Sequence, residues 1–155
     1  MCYLINPGVY VSNHITLAQY VKKRTGVPLG ASGSMSNMLK RSFGAPSFYL
    51  FWRYWNPIWS YYLSRYVMKP TSSFLPHWCA VIITFAISGA LHDLAVMLIK
   101  FKLLFFFTPW FSLMAVCAVL SLKLRLSFLH FPMSVRAFIN FLYISGSFYL
   151  TELFL

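Results

Sequence analysis

The sequence predicts an all-α integral membrane protein, and three observations carry that prediction. Of its 155 residues, 59% are hydrophobic and only 10% charged, where a soluble chain carries roughly a quarter charged. The mean hydropathy is +0.67. Three apolar runs, Phe74–Ile99, Leu103–Leu122 and Ala137–Leu155, approach or exceed the roughly 20 residues that a bilayer core requires. Disorder is excluded because aromatics make up 20% of the chain and would collapse. The three widely separated cysteines, Cys2, Cys79 and Cys117, define neither a disulfide framework nor a metal site.

Residues 1–47 read as a basic extramembrane arm or loop. They mix Pro, Gly, Ser and Asn with Lys22, Lys23, Arg24, Lys40 and Arg41, and contain no apolar run of spanning length. A signal peptide is not expected, because its basic region would precede an apolar core. Nor does the Met1-Cys2 start carry a lipidation motif. The segment Gly30–Ser36 reads as a loop.

The membrane domain is expected over residues 48–155. Its first stretch, Phe48–Met68, carries Arg53, Arg65, Asn56 and Pro57 among many aromatics. That mixture fits an interfacial or re-entrant helix broken near Pro57 better than a simple lipid-facing span, although a buried, spanning helix stays open. The three apolar runs follow as transmembrane helices. Pro109 is expected to bend the second, and Gly89 and Gly146 to sit where neighbouring helices pack closely.

Charge sets orientation and partners. With the arm inside and three crossings, eleven of the thirteen Lys and Arg residues fall inside, leaving Lys100 and Lys102 outside. The positive-inside rule then places the N-terminus inside and the C-terminus outside. The formal charge of +11 points to a bilayer with anionic lipids and not to nucleic acid, since no nucleic-acid-binding motif accompanies it. Location is expected to be a multi-pass membrane protein.

Chemistry concentrates in the first span, at Ser88-Gly89-Ala90-Leu91-His92-Asp93. An intramembrane ionisable residue is a functional-site hypothesis because it is expensive without a partner. Ser88 and His92 are four apart and share a helix face, whereas Asp93 points about 100° away and is not placed to orient His92. Asp93 is expected to meet Lys100 or a group from elsewhere. Ala86 and Ala90 form a small-xxx-small pair beside that face, suited to close helix approach. An imidazole desolvated by apolar neighbours stays neutral and able to accept a proton, as a general base must. Equally, His92 can serve as a helix-to-helix hydrogen bond. Asn56 has two readings as well: a group holding a carbonyl or hydroxyl oxygen, or an N-cap before Pro57.

Together, FWRYWNPIWSYYLSRYVMKP and TFAISGALHDLAVML resemble the core of the membrane-bound O-acyltransferase family, nearest its wax-synthase-like branch. The first block resembles the family's Phe-Trp-x-x-Trp-(Asn/His) segment through Phe51, Trp52, Trp55 and Asn56, continuing into Ser60, Arg65, Tyr66 and Pro70. The second resembles its Ser-Gly-x-x-His signature at Ser88, Gly89 and His92. The likeness covers roughly Tyr49–Leu98.

The resemblance implies acyl transfer from a thioester to the hydroxyl of a lipid or alcohol, in lipid metabolism. His92 would be the general base and Asn56 the polar residue beside the reaction centre, with Arg53, Trp55, Ser88 and Arg65 contacting substrate. The donor would be acyl-CoA or an acyl carrier protein; no metal and no other cofactor is implied. Family members are longer and enclose their reaction chamber with additional helices, so a homo-oligomer or a partner subunit is expected here, unless the chain is a relic. The alternative from another class is a non-catalytic membrane interaction protein, or degenerate fragment, whose basic arm binds anionic lipid. A proton or ion path is disfavoured, since the one polar site at His92 and Asp93 makes no continuous route.

Overall fold

A computed structural model describes residues 15–155, and every regular element among them is helical. The Met1-Cys2 start and the rest of the first fourteen residues of the basic arm lie outside the described residues. The elements are α1 (Leu17–Thr25), α2 (Ser34–Phe43), α3 (Phe48–Tyr54), α4 (Pro57–Leu63), a π-helical turn (Ser64–Met68), α5 (Lys69–Thr71), α6 (His77–Lys100), α7 (Phe107–Lys123) and α8 (Met133–Phe154).

The described part of the basic segment is helical and packed. Thr16 opens α1 with a capping box, its hydroxyl accepting from Gln19 N–H while Gln19 reaches back to Thr16 N–H, which satisfies two donors at once. Gly26 ends α1 in the left-handed region at φ 85°, which glycine adopts without steric cost. The turn at Gly30–Gly33 gives way to α2 at Ser34, so the expected loop is shorter than the serine-rich stretch. Buried Asn140 of α8 ties α2 down, donating to the Phe43 and Ala45 carbonyls at 3.0 Å each.

The expected break near Pro57 is present, since α3 and α4 are seven residues each and meet at Trp55-Asn56. Proline disfavours the α region for the residue before it, and Asn56 takes φ 39°, ψ 71°, a conformation asparagine tolerates better than most residues. The core joins Phe48, Phe51 and Trp52 of α3 to Ala80, Val81 and Phe85 of α6 and to Met114, Ala115 and Ala118 of α7.

Of the three expected spans, α6 is the one helix among those described that is long and apolar enough to cross a membrane. Only 28% of its most apolar window is buried, so α6 is not the enclosed core helix of a soluble body. Its open side carries Ile87, Leu91, Leu94 and Leu98. Helices also form at the other two positions. However, α7 has 17 residues, about 25 Å of rise against a bilayer core of about 30 Å. The 22 residues of α8 suffice in length, but Arg136, Asn140, Glu152 and several hydroxyls dilute its apolar character.

Pro109 does not bend α7; it helps begin it. The first turn of a helix leaves four N–H groups without intrahelical partners. Here the Asp93 carboxylate accepts three of them, from Phe106 at 2.9 Å, Phe107 at 2.8 Å and Thr108 at 2.9 Å, together with the Thr108 hydroxyl at 2.6 Å. The fourth position is Pro109, which has no N–H to satisfy. A carboxylate at this end also opposes the positive pole of the helix dipole. Asp93 thus meets neither Lys100 nor His92 but a group from elsewhere, the start of α7.

That junction explains Gly89, where a methyl would collide with the backbone of Phe107 and Thr108. Close helix approach therefore occurs at Gly89, while Ala90 is exposed. Gly146 has open space around it, so the close packing expected there is absent.

Candidate active site

The fold brings the two polar segments of the sequence to one partly open cavity of about 190 Å³, lined by α3, α4, the π-helical turn, α6, α7 and Ile144 of α8. Along α6 its lining runs from Val81 through Thr84, Phe85 and Ser88 to His92, eleven residues and about 16 Å. His92 and Ser88, with Trp59, form the polar end. Met68 and Thr84 meet at the other end, where the Thr84 hydroxyl lies 3.4 Å from the Met68 sulfur. The π-helical turn keeps Ser60, Leu63, Ser64 and Met68 on the cavity side.

At the polar end a chain of contacts connects the segments. Asn56 Oδ1 accepts from Trp59 N–H at 3.2 Å, the N-cap role read as one alternative from the sequence. Its Nδ2 has no hydrogen-bond partner among the described residues. The Trp59 indole N–H donates to Ser88 Oγ at 2.8 Å. One helical turn on, His92 Nδ1 lies 2.7 Å from the Ser88 carbonyl oxygen. A carbonyl oxygen only accepts, so Nδ1 carries the hydrogen and, in the neutral ring, Nε2 keeps the free lone pair. The imidazole sits among Phe111 at 5.0 Å, Phe107 at 5.8 Å and the edge of Trp59 at 6.2 Å, measured between ring centres. Within the chain it is exposed, not buried.

Four residues singled out in the sequence, Asn56, Trp55, Ser88 and His92, line this cavity. Arg53 and Arg65 do not. The Arg53 guanidinium lies 6.0 Å from the Tyr54 ring centre, and Arg65 Nη1 donates to the Tyr61 hydroxyl at 2.8 Å. Long side chains beside aromatics stack along them, which takes both arginines away from the cavity.

Sequence reasoning missed Trp59, the residue that touches both segments. Its signal was present, three positions after Asn56, where an N-cap side chain finds its backbone donor. Nothing local in the sequence marks Phe107 and Phe111, which reach His92 only through the turn between α6 and α7.

Among the described residues no group of three or more His, Cys, Asp or Glu side chains is placed to hold a metal ion. Compared with protein-family models, curated proteins and solved structures, the chain matches none.

Proposed function

We propose that this chain is a multi-pass membrane O-acyltransferase of the membrane-bound O-acyltransferase type, moving an acyl group from a thioester to a hydroxyl. The observation that carries the reading is the arrangement of His92: Nδ1 is held by the Ser88 carbonyl at 2.7 Å, and the ring stands at the polar end of a cavity that Asn56 also lines. A histidine with one nitrogen fixed presents the other as a base of defined direction.

In this mechanism Nε2 of His92 takes the proton from the acceptor hydroxyl as its oxygen attacks the thioester carbonyl. The free Nδ2–H of Asn56 donates to the oxyanion that develops. Collapse of the tetrahedral adduct breaks the carbon–sulfur bond, and the departing thiolate takes the proton from the imidazolium. Acyl-CoA or an acyl carrier protein supplies the thioester; a lipid or an alcohol supplies the hydroxyl. In this reading α7 and α8 cross the membrane beside α6. Their outward Leu120, Phe138, Phe141 and Leu150 support it, since exposed apolar area of this extent mostly marks contact with lipid or protein.

The test is transfer of labelled long-chain acyl groups from acyl-CoA to a panel of alcohols by the protein in lipid. His92→Ala is expected to lower turnover by at least about 100-fold, the usual contribution of a general base, and undiminished turnover would sink the mechanism. A second reading, a non-catalytic membrane interaction protein, is favoured by the engagement of Asn56 Oδ1 as a helix cap. It predicts no turnover from the folded wild-type protein with any partner subunit or acceptor.

A further inference from the structure

Among the described residues, a buried charge without a counter-ion lies in α1, far in sequence from the cavity. The buried face of α1 is Tyr20, Val21, Arg24 and Thr25, the i, i+1, i+4, i+5 pattern of a helix stripe turned inward. Lys22 and Lys23 point outward, but Arg24 is 2% exposed, the one buried arginine among the described residues. Its cation lies 4.9 Å from the Tyr20 ring centre, and Nη2 makes one long contact of 3.4 Å to the Tyr20 hydroxyl. Among the described residues, Nε and Nη1 have no hydrogen-bond partner.

No carboxylate side chain can neutralise it. The whole sequence contains two acidic residues, Asp93 and Glu152. Asp93 is occupied at the start of α7, and Glu152 lies exposed near the end of α8. A second guanidinium adds to the positive charge, since Arg41 Nη1 donates to the Arg24 carbonyl at 3.2 Å. A buried, unpaired guanidinium is among the least favourable states of a side chain, and the fork of donors it presents matches the oxygens of a phosphate.

We infer that Arg24, with Arg41 beside it, is a binding site for a phosphate group that comes from outside the chain. The site differs from general attraction of basic side chains to an anionic surface, because it rests on an inward-facing residue and the donor geometry of arginine. It stands whether or not the chain transfers acyl groups.

Two molecules of different origin carry such a phosphate, a phosphatidic acid headgroup and the 3′-phosphorylated nucleotide of CoA. The protein in neutral detergent is melted with phosphatidic acid, with adenosine 3′,5′-bisphosphate, and with phosphatidylcholine as control. One of the first two is expected to raise Tm by about 5–10 °C near saturation, and which one does so identifies the source. Arg24→Met is expected to melt higher than wild type without ligand, because an apolar isostere replaces an unpaired buried charge, and to lose the ligand-induced rise. Arg24→Lys, which keeps charge without the fork, is expected to retain less than half of the rise and serves alone if Arg24→Met does not fold. Lys22→Gln/Lys23→Gln keeps the full rise. No rise with either phosphate in wild type would overturn the inference, as would a rise that the Arg24 variants retain in full.

Discussion

His92 and Asp93 follow each other on α6, yet their surroundings have almost nothing in common. Asp93 is 2% exposed, and its carboxylate collects four donors from the start of α7. His92 is exposed, spends one nitrogen on its own helix and turns the other toward no described partner. A rotation of about 100° per residue divides the pair between two jobs. Polarity inside an apolar helix is therefore no single signal: Asp93 holds two helices together, whereas His92 keeps one ring nitrogen without a described partner.

Substitutions test that division. The largest effect is expected from Asp93→Ala, which leaves three N–H groups unsatisfied at once. At about 1–3 kcal/mol for each such donor left unpaired, the loss is at least about 3 kcal/mol, read as a lower Tm or the absence of folded protein in detergent. Asp93→Asn, which keeps one acceptor oxygen, should fall between. A stable Asp93→Ala protein would show that α7 does not depend on this cap.

Gly89→Ala comes next, because its methyl would press on the Phe107 and Thr108 backbone; overpacking of this kind costs about 1–3 kcal/mol. Trp59→Phe keeps the ring and removes the 2.8 Å bond to Ser88, so about 1 kcal/mol of stability is at stake. It should also broaden or shift the imidazole nitrogen resonances of His92, a readout that a purely structural tryptophan would leave alone. His92→Ala should cost less than about 1 kcal/mol, since the residue is exposed and forms a single hydrogen bond; a large drop in Tm would place it with Asp93 as a structural group. Smallest is Asn56→Gly, which loses the cap bond to Trp59 but removes the strain of φ 39°, for a net change of a few tenths of a kcal/mol by thermal unfolding.

Much of this was legible in the sequence. Helical class followed from the apolar runs and the scarcity of charge. The break at Asn56-Pro57 followed from the missing N–H of proline and its effect on the preceding residue. That Ser88 and His92 share a face, and that Asp93 does not, followed from helix periodicity alone. The helix starts were shifted by prolines, with α6 beginning after Pro76 and α8 after Pro132. That Arg53 and Arg65 lie off the cavity was not legible, because composition shows that a cation is present without showing which way it lies. Gly89 and Gly146 look alike in sequence, and only a backbone arriving from α7 separates them.

Local sequence fixes where the aromatic segment breaks and which residues of α6 share a side. These depend on neighbours within one or two turns, so short-range sterics and backbone hydrogen bonding decide them. The packing of separate helices sets the Asp93 cap on α7, the link from Asn56 through Trp59 to Ser88, and the burial of Arg24 without a counter-ion among the described residues. Each of those depends on groups brought together from separate helices, where packing and the need to satisfy buried polar atoms select one arrangement from many that the same local pattern permits.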